Sequence, residues 1–130
     1  KEKKNLNSKT PITVKISPDV NDKEISQISE VLLNNKIDAI IVSNTSDSTR
    51  DDLKNIQSHQ KGGLSGRIIM PYTLKLLDYI KNTHSHVKVI AGGGVFTKQD
   101  AQTYINAGAD HISLGSVSFT PWKIKGIINE

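Results

Sequence analysis

The chain has 130 residues, 35% of them hydrophobic and 23% charged, with a formal net charge of +4, a composition that fits one soluble globular domain able to bury a core. It contains no cysteine, which excludes disulfides and thiolate chemistry and suits a reducing cytoplasm, and no apolar run nears the roughly 20 residues that span a bilayer. Lys1, Lys3, Lys4 and Lys9, less Glu2, place +3 of the charge in the first ten residues, so the basicity is that of a short solvated tail and not of a nucleic-acid surface.

Residues 1–10 read as that basic tail and residues 11–130 as the folded unit. The chain opens on Lys1 and no apolar h-region follows, so it reads as a fragment, a processed product or a trimmed chain without a signal peptide. Ile12-Thr13-Val14-Lys15-Ile16-Ser17 is rich in β-branched residues and stops at Pro18, which predicts a strand. Asn21 and Glu24 form a capping-box pair. Ile25, Ile28 and Leu32 then repeat at helical spacing, which carries a helix to about Asn35.

Ala39-Ile40-Ile41-Val42-Ser43 is a short continuous apolar run, the pattern of a strand buried on both faces. Residues 46–66 are polar, punctuated by glycine and without a period; connections of that length tend to be functional. Pro71 suits the first turn of a helix continued by Leu74, Leu77 and Ile80. Val87-Lys88-Val89-Ile90-Ala91 reads as a third strand, running into three glycines. Thr97 and Asp100 pair like a capping box, Ala101, Tyr104 and Ile105 give the next helix an apolar face, and Gly108 stops it. His111-Ile112-Ser113-Leu114-Gly115 is the fourth strand, and Pro121 opens a last helix with Ile124, Ile127 and Ile128 on one face.

The rhythm is strand then helix, four times, which predicts an α/β fold with a parallel sheet and helical crossovers. Pattern alone leaves two architectures open, half of an eight-stranded barrel or a small open sheet. There is no low-complexity segment and no repeat beyond the βα rhythm.

Parallel barrels carry their active sites at the C-terminal ends of the strands. Lys15 lies close to the end of the first strand, Ser43, Asn44 and Thr45 end the second, Gly92, Gly93 and Gly94 end the third, and Gly115 and Ser116 end the fourth. Lys15 is either a cation beside a bound cofactor or an exposed lysine on the other strand face. Asn44 and Thr45 offer an amide and a hydroxyl to a polar substrate, or else serve turn chemistry. Gly92-Gly93-Gly94 before the Thr97 helix start resembles a phosphate cradle, where backbone amides and the helix end meet an anion; a tight turn is the plain alternative. Gly62-Gly63-Leu64-Ser65-Gly66 either lets backbone approach a planar cofactor or is a surface loop. His59, His84, His86 and His111 lack ligand spacing with carboxylates, so no metal site is expected, with His84 and His86 facing solvent. Trp122 is expected to pack.

Val14-Lys15-Ile16-Ser17-Pro18-Asp19, Asn44-Thr45, Gly62-Gly63-Leu64-Ser65-Gly66-Arg67 and Ile90-Ala91-Gly92-Gly93-Gly94-Val95, in that order, resemble the C-terminal half of a dihydroorotate dehydrogenase over nearly the whole chain. Lys15 to Arg67 is most similar to the quinone-linked class, while Gly115-Ser116-Val117-Ser118-Phe119 also resembles the Gly-Thr-Ala-x-Phe of the soluble classes, so the class stays open. The resemblance implies four βα units of a TIM-type eight-stranded barrel with FMN over its mouth. It implies oxidation of dihydroorotate to orotate in pyrimidine biosynthesis, a base taking the C5 proton and hydride passing from C6 to the flavin. It also implies Lys15, Ser43 (where the family often has Thr), Gly66, Gly94, Gly115 and Ser116 at the flavin and its phosphate, and Asn44 and Thr45 on the orotate.

The family's base, a Ser or Cys in the first half of the barrel, has no counterpart in this sequence, so no catalytic residue is assigned. The first half's further asparagines, its second lysine and the amphipathic N-terminal segment of the quinone-linked class are likewise without counterparts. The expectation is a partial or truncated dihydroorotate dehydrogenase. Its expected partner is a complementary N-terminal half-barrel or a second copy, because four strands leave two edges open. Its expected location is cytoplasmic, or peripheral to a membrane if quinone-linked. The alternatives are a non-catalytic relic or self-associating half-barrel, and a fragment of a different phosphate-binding barrel.

Overall fold

Four short runs of β-branched and small residues become strands in the computed structural model, which describes residues 9–48, 53 and 61–128. They are β1 (Thr13–Ile16), β2 (Ala39–Val42), β3 (Val89–Gly92) and β4 (His111–Ser113). Each is followed by a helix: α1 (Asp22–Asn34), α2 (Met70–Thr83), α3 (Lys98–Asn106) and α4 (Ile124–Ile128). The basic tail up to residue 8, His59 and most of the long connection lie outside the described residues.

The sheet order is β1-β2-β3-β4, with every neighbouring pair parallel. That order resolves the open alternative. Right-handed crossovers that step always in one direction put all helices on one face. A doubly wound sheet instead reverses at a switch point and carries helices on both. Here the described helices cover one face only, as in a segment of a barrel wall.

Register and alternation decide which residues face the helices. Ile16, Val42 and Ala91 stand in one row, and Lys15, Ile41, Ile90 and His111 in the next. The first row is buried with Ile40 and Val89 against Ile25 of α1, Leu76, Leu77 and Ile80 of α2 and Tyr104 of α3. Each such side chain removed from water stabilises by about 1.5–3 kcal/mol. The second row faces away from the helices.

The helix ends follow the sequence signals. Asn21 accepts from the amides of Lys23 and Glu24 at 3.0 Å each, and Glu24 accepts from the Asn21 amide at 2.8 Å. Thr97 and Asp100 form the same reciprocal box on α3. Gly108, at φ 97°, closes α3. There the amides of Gly108 and Ala109 bond back to Ile105 and Tyr104, at 2.9 and 3.0 Å, in a Schellman arrangement.

Three expectations need correction. A 3-10 turn, Pro121–Lys123, stands where the last helix was expected to begin. Ile105 and Ile128 are 43% and 68% exposed, because the inward stripe of α3 runs through Ala101 and Tyr104 and α4 is only five residues long. Trp122, expected to pack, is 73% exposed. It sits in the turn leaving the β4 edge, where no described element covers it.

Candidate functional site

A cleft of about 220 Å³ opens over the C-terminal ends of the strands. β1 contributes Lys15, and β2 with its extension contributes Ile41, Ser43, Asn44 and Thr45. Ser65, Gly66 and Ile69 come from the connection before α2, and Gly92 and Gly93 from the end of β3. Ser113, Gly115, Ser116 and Phe119 close the fourth side.

The backbone after β2 keeps bonding to both neighbours. The Ser43 amide donates to Gly92 O at 3.1 Å, and the Asn44 amide to Ile16 O at 2.8 Å. The Val42–Ser43 peptide is cis. Ser43 is buried, and its Oγ lies 2.6 Å from Thr73 Oγ1 of α2. Asn44 and Thr45 are exposed at the cleft rim.

A second layer fixes this rim. Ser46 and Leu64 form an antiparallel bridge, with N–H···O distances of 2.9 and 2.6 Å, that brings the glycine-rich connection onto the β2 extension. A Cβ at Gly63 would collide with the Thr45 side chain, so glycine is what lets these segments meet. Asp19 accepts from Ser46 Oγ at 2.6 Å, from the Asp47 amide at 2.8 Å and from Ser48 Oγ at 2.8 Å. Partial burial alone would raise the Asp19 pKa, but these bonds, with Ser17, outweigh it and hold the carboxyl below its ordinary value.

Asp100 plays a similar part across the cleft. It accepts from the amides of Phe96 and Thr97 at 3.0 and 2.9 Å and from Arg67 Nη2 at 2.8 Å. Desolvation opposes its ionisation, yet these bonds and the Arg67 charge lower its pKa. The Arg67 guanidinium also lies 5.9 Å from the Phe96 ring centroid. At the start of α3, expected to help cradle a phosphate, the capping pair takes up the amides of Thr97 and Asp100.

Lys15, Ser43, Asn44, Thr45, Gly66, Gly115 and Ser116 thus share one cleft. Gly94 does not line it: it is buried, and a Cβ there would come 2.7 Å from Arg67 Cα. Of the two positions open for Lys15, the structure shows the face turned away from the helices, inside the cleft. Sequence reasoning missed Ile41 and Ser113, which alternation along their strands places on the same face as Lys15. It also missed Ser65 and Phe119, although both lie inside motifs it singled out. Among the described residues, no group of three or more His, Asp or Glu side chains is arranged to hold a metal, and no helix is long and apolar enough to cross a membrane.

The profile of the family described as "Dihydroorotate dehydrogenase" matches residues 1–130. "Dihydroorotate dehydrogenase (quinone)" of Coxiella burnetii (strain Dugway 5J108-111) is 35% identical over 126 residues, covering 92% of this chain and 35% of that protein. "Dihydroorotate dehydrogenase (quinone), mitochondrial" of Eremothecium gossypii is 37% identical over 113 residues, 82% of this chain and 25% of its own length. Among solved structures, "DHODH in complex with ferulenol from Eimeria tenella" superposes with a TM-score of 0.83 at 32% identity, over 90% of this chain and 32% of that one. The chain therefore spans about a third of the length of the relatives it matches. Its four βα units are those of the C-terminal half of a TIM-type barrel. By sequence and by fold, the chain belongs to the dihydroorotate dehydrogenase family.

Proposed function

We propose that this chain supplies the flavin- and orotate-binding half of a dihydroorotate dehydrogenase, residues 11–130 forming the barrel segment. The observation that carries the reading is the convergence of Lys15, Ser43, Asn44 and Thr45 on one cleft at the C-terminal edge of the sheet. The residues fit FMN. Hydroxyls and glycine backbone surround the cleft, and a Cβ at Gly66 or Gly115 would meet nothing within 4 Å, so there is open space at both. FMN, when bound, supplies the hydride acceptor.

The chain's own residues then divide the work. The Lys15 ammonium favours negative charge on a neighbouring ring. Ser43, Gly66 and Gly115 meet the ring and its side chain. Ser116 with nearby loop amides meets the phosphate. Gly94 acts from behind, by letting Arg67 and Gly66 approach. Asn44 and Thr45 present an amide and a hydroxyl to the carboxylate and ring amide of orotate. No base is assigned within this chain.

The edges of β1 and β4, unpaired among the described residues, and the row Lys15, Ile41, Ile90 and His111, call for further strands of the same barrel, from a complementary half or a second copy. The name "Dihydroorotate dehydrogenase (quinone)" of the relatives supports a quinone as electron acceptor, and with it a location peripheral to a membrane, a cytoplasmic one being the alternative. The test is a titration of the purified protein with FMN, then with orotate, read by visible absorbance and flavin fluorescence. Saturable flavin binding with a spectral response to orotate is expected. Absence of saturable binding overturns the reading, and flavin binding without an orotate response removes the substrate assignment.

A further inference from the structure

Two buried hydroxyl pairings stand behind the cleft. Ser43 Oγ and Thr73 Oγ1 are 2.6 Å apart, and the Tyr104 hydroxyl donates to Gly93 O at 2.7 Å. Thr73 and Tyr104 are both 0% exposed, and Ser43 is 7% exposed. Ser43 follows β2, Gly93 follows β3, and both line the cleft. Thr73 and Tyr104 come instead from α2 and α3. Two helices thus reach past the sheet to tie adjacent strand ends together.

Each bond fixes one group of the cleft from the helix side. Thr73 Oγ1 and Ser43 Oγ share one hydrogen bond, which orients the Ser43 hydroxyl. Tyr104 donates its proton to the Gly93 carbonyl and anchors it.

We infer that Thr73 and Tyr104 are positioning residues, Thr73 orienting the Ser43 hydroxyl in the cleft and Tyr104 holding Gly93 in place beside it. The inference deepens the flavin reading and rests on it. Neither residue touches the cleft, so each acts only through Ser43 or Gly93. Packing supports the arrangement, because a Cβ at Gly93 would lie 2.8 Å from Ile69 Cδ1 and 3.4 Å from Thr73 Oγ1.

The experiment is FMN titration of the purified protein by fluorescence quenching, with thermal melting of the flavin-free form in parallel. Thr73→Val and Tyr104→Phe should each weaken FMN binding about tenfold, the worth of one aligned hydrogen bond. Thr73→Ser keeps the hydroxyl and should stay within about twofold of the parent. In a Ser43→Ala background, Thr73→Val should have no further effect. Parent-like affinity in both Thr73→Val and Tyr104→Phe overturns the inference. So does a Thr73→Val loss that persists undiminished on Ser43→Ala, which marks a general packing defect. Failure of the unmutated protein to bind FMN is a different result: it overturns the flavin reading, and this inference with it.

Discussion

Asp19 Oδ1 accepts a hydrogen bond from Ser46 Oγ at 2.6 Å, joining the turn after β1 to the extension of β2 across 27 residues of sequence. The same carboxylate takes the Asp47 amide and Ser48 Oγ, so one side chain orders the segment that follows Asn44 and Thr45. It accepts all of these bonds at full strength only while it is ionised. Its folded pKa lies below its ordinary value, so its stabilisation is present above the unfolded pKa of about 3.9 and is lost as pH falls through the folded one. Asp19→Asn should cost roughly 1 kcal/mol at pH 7, a figure held down by solvent at this exposed site. Urea unfolding of parent and variant should show the gap closing as pH drops from 5 to below 3. A gap independent of pH would remove the charge from the explanation.

Gly94 and Gly115 separate two uses of glycine. At Gly94, φ is 73° and a Cβ would press on Arg67 Cα, so Gly94→Ala should destabilise the fold by about 1–3 kcal/mol. At Gly115 a Cβ meets nothing within 4 Å. Gly115→Ala should leave the melting temperature nearly unchanged while weakening FMN binding. Equal losses of stability in the two variants would mean that Gly115 does not border free space.

Local signals made much of the architecture legible. A capping box such as Asn21 with Glu24, or a Schellman glycine such as Gly108, acts within one turn, so it is written in adjacent residues. Strand ends carrying Lys15, Ser43, Asn44 and Thr45 were legible for the same reason. The supports behind them were not. Thr73 and Tyr104 sit in amphipathic helices where nothing nearby marks a buried hydroxyl, and Ser43 meets Thr73 across 30 residues. Asp19 stood inside a motif already noted, but its partners Ser46 and Ser48 belong to another strand's extension. Trp122 misled because the burial of a tryptophan depends on what lies beyond the β4 edge, which its neighbours in sequence do not encode.

Ser29 is a fully buried hydroxyl of α1 without a hydrogen-bond partner among the described residues. Burying such a group costs free energy that no bond returns, and alanine is also the better helix former. Ser29→Ala should therefore stabilise the protein by about 1 kcal/mol, read as a higher urea midpoint with an unchanged slope. A lower midpoint would show that the hydroxyl has a partner in solution, such as a buried water.

Asn44 tests the substrate assignment apart from the cofactor. It is exposed at the rim, and its amide N–H holds the β1 end through backbone atoms that a side-chain change leaves in place. Asn44→Ala should weaken the orotate response about tenfold or more while FMN still binds. Simultaneous loss of both ligands would point to a disturbed β2 extension and against a substrate contact.

Lys15 carries the electrostatic claim. Its row in the sheet faces away from the helices, and its neighbour in register is Ile41, so its ammonium stands in the cleft beside an apolar side chain. A cation there favours the more negative, reduced state of a bound ring, which raises the reduction potential. Lys15→Met keeps the length of the side chain and removes the charge. The flavin potential should then fall by on the order of 30 mV, about 1.4 kcal/mol for a two-electron couple. Spectroelectrochemical titration of the FMN-loaded protein measures it. Because the charge acts through space, raising the ionic strength should change the parent's potential more than the variant's. A variant potential equal to the parent's at low salt would place Lys15 away from the ring, leaving it as a solvated lysine at the mouth of the cleft.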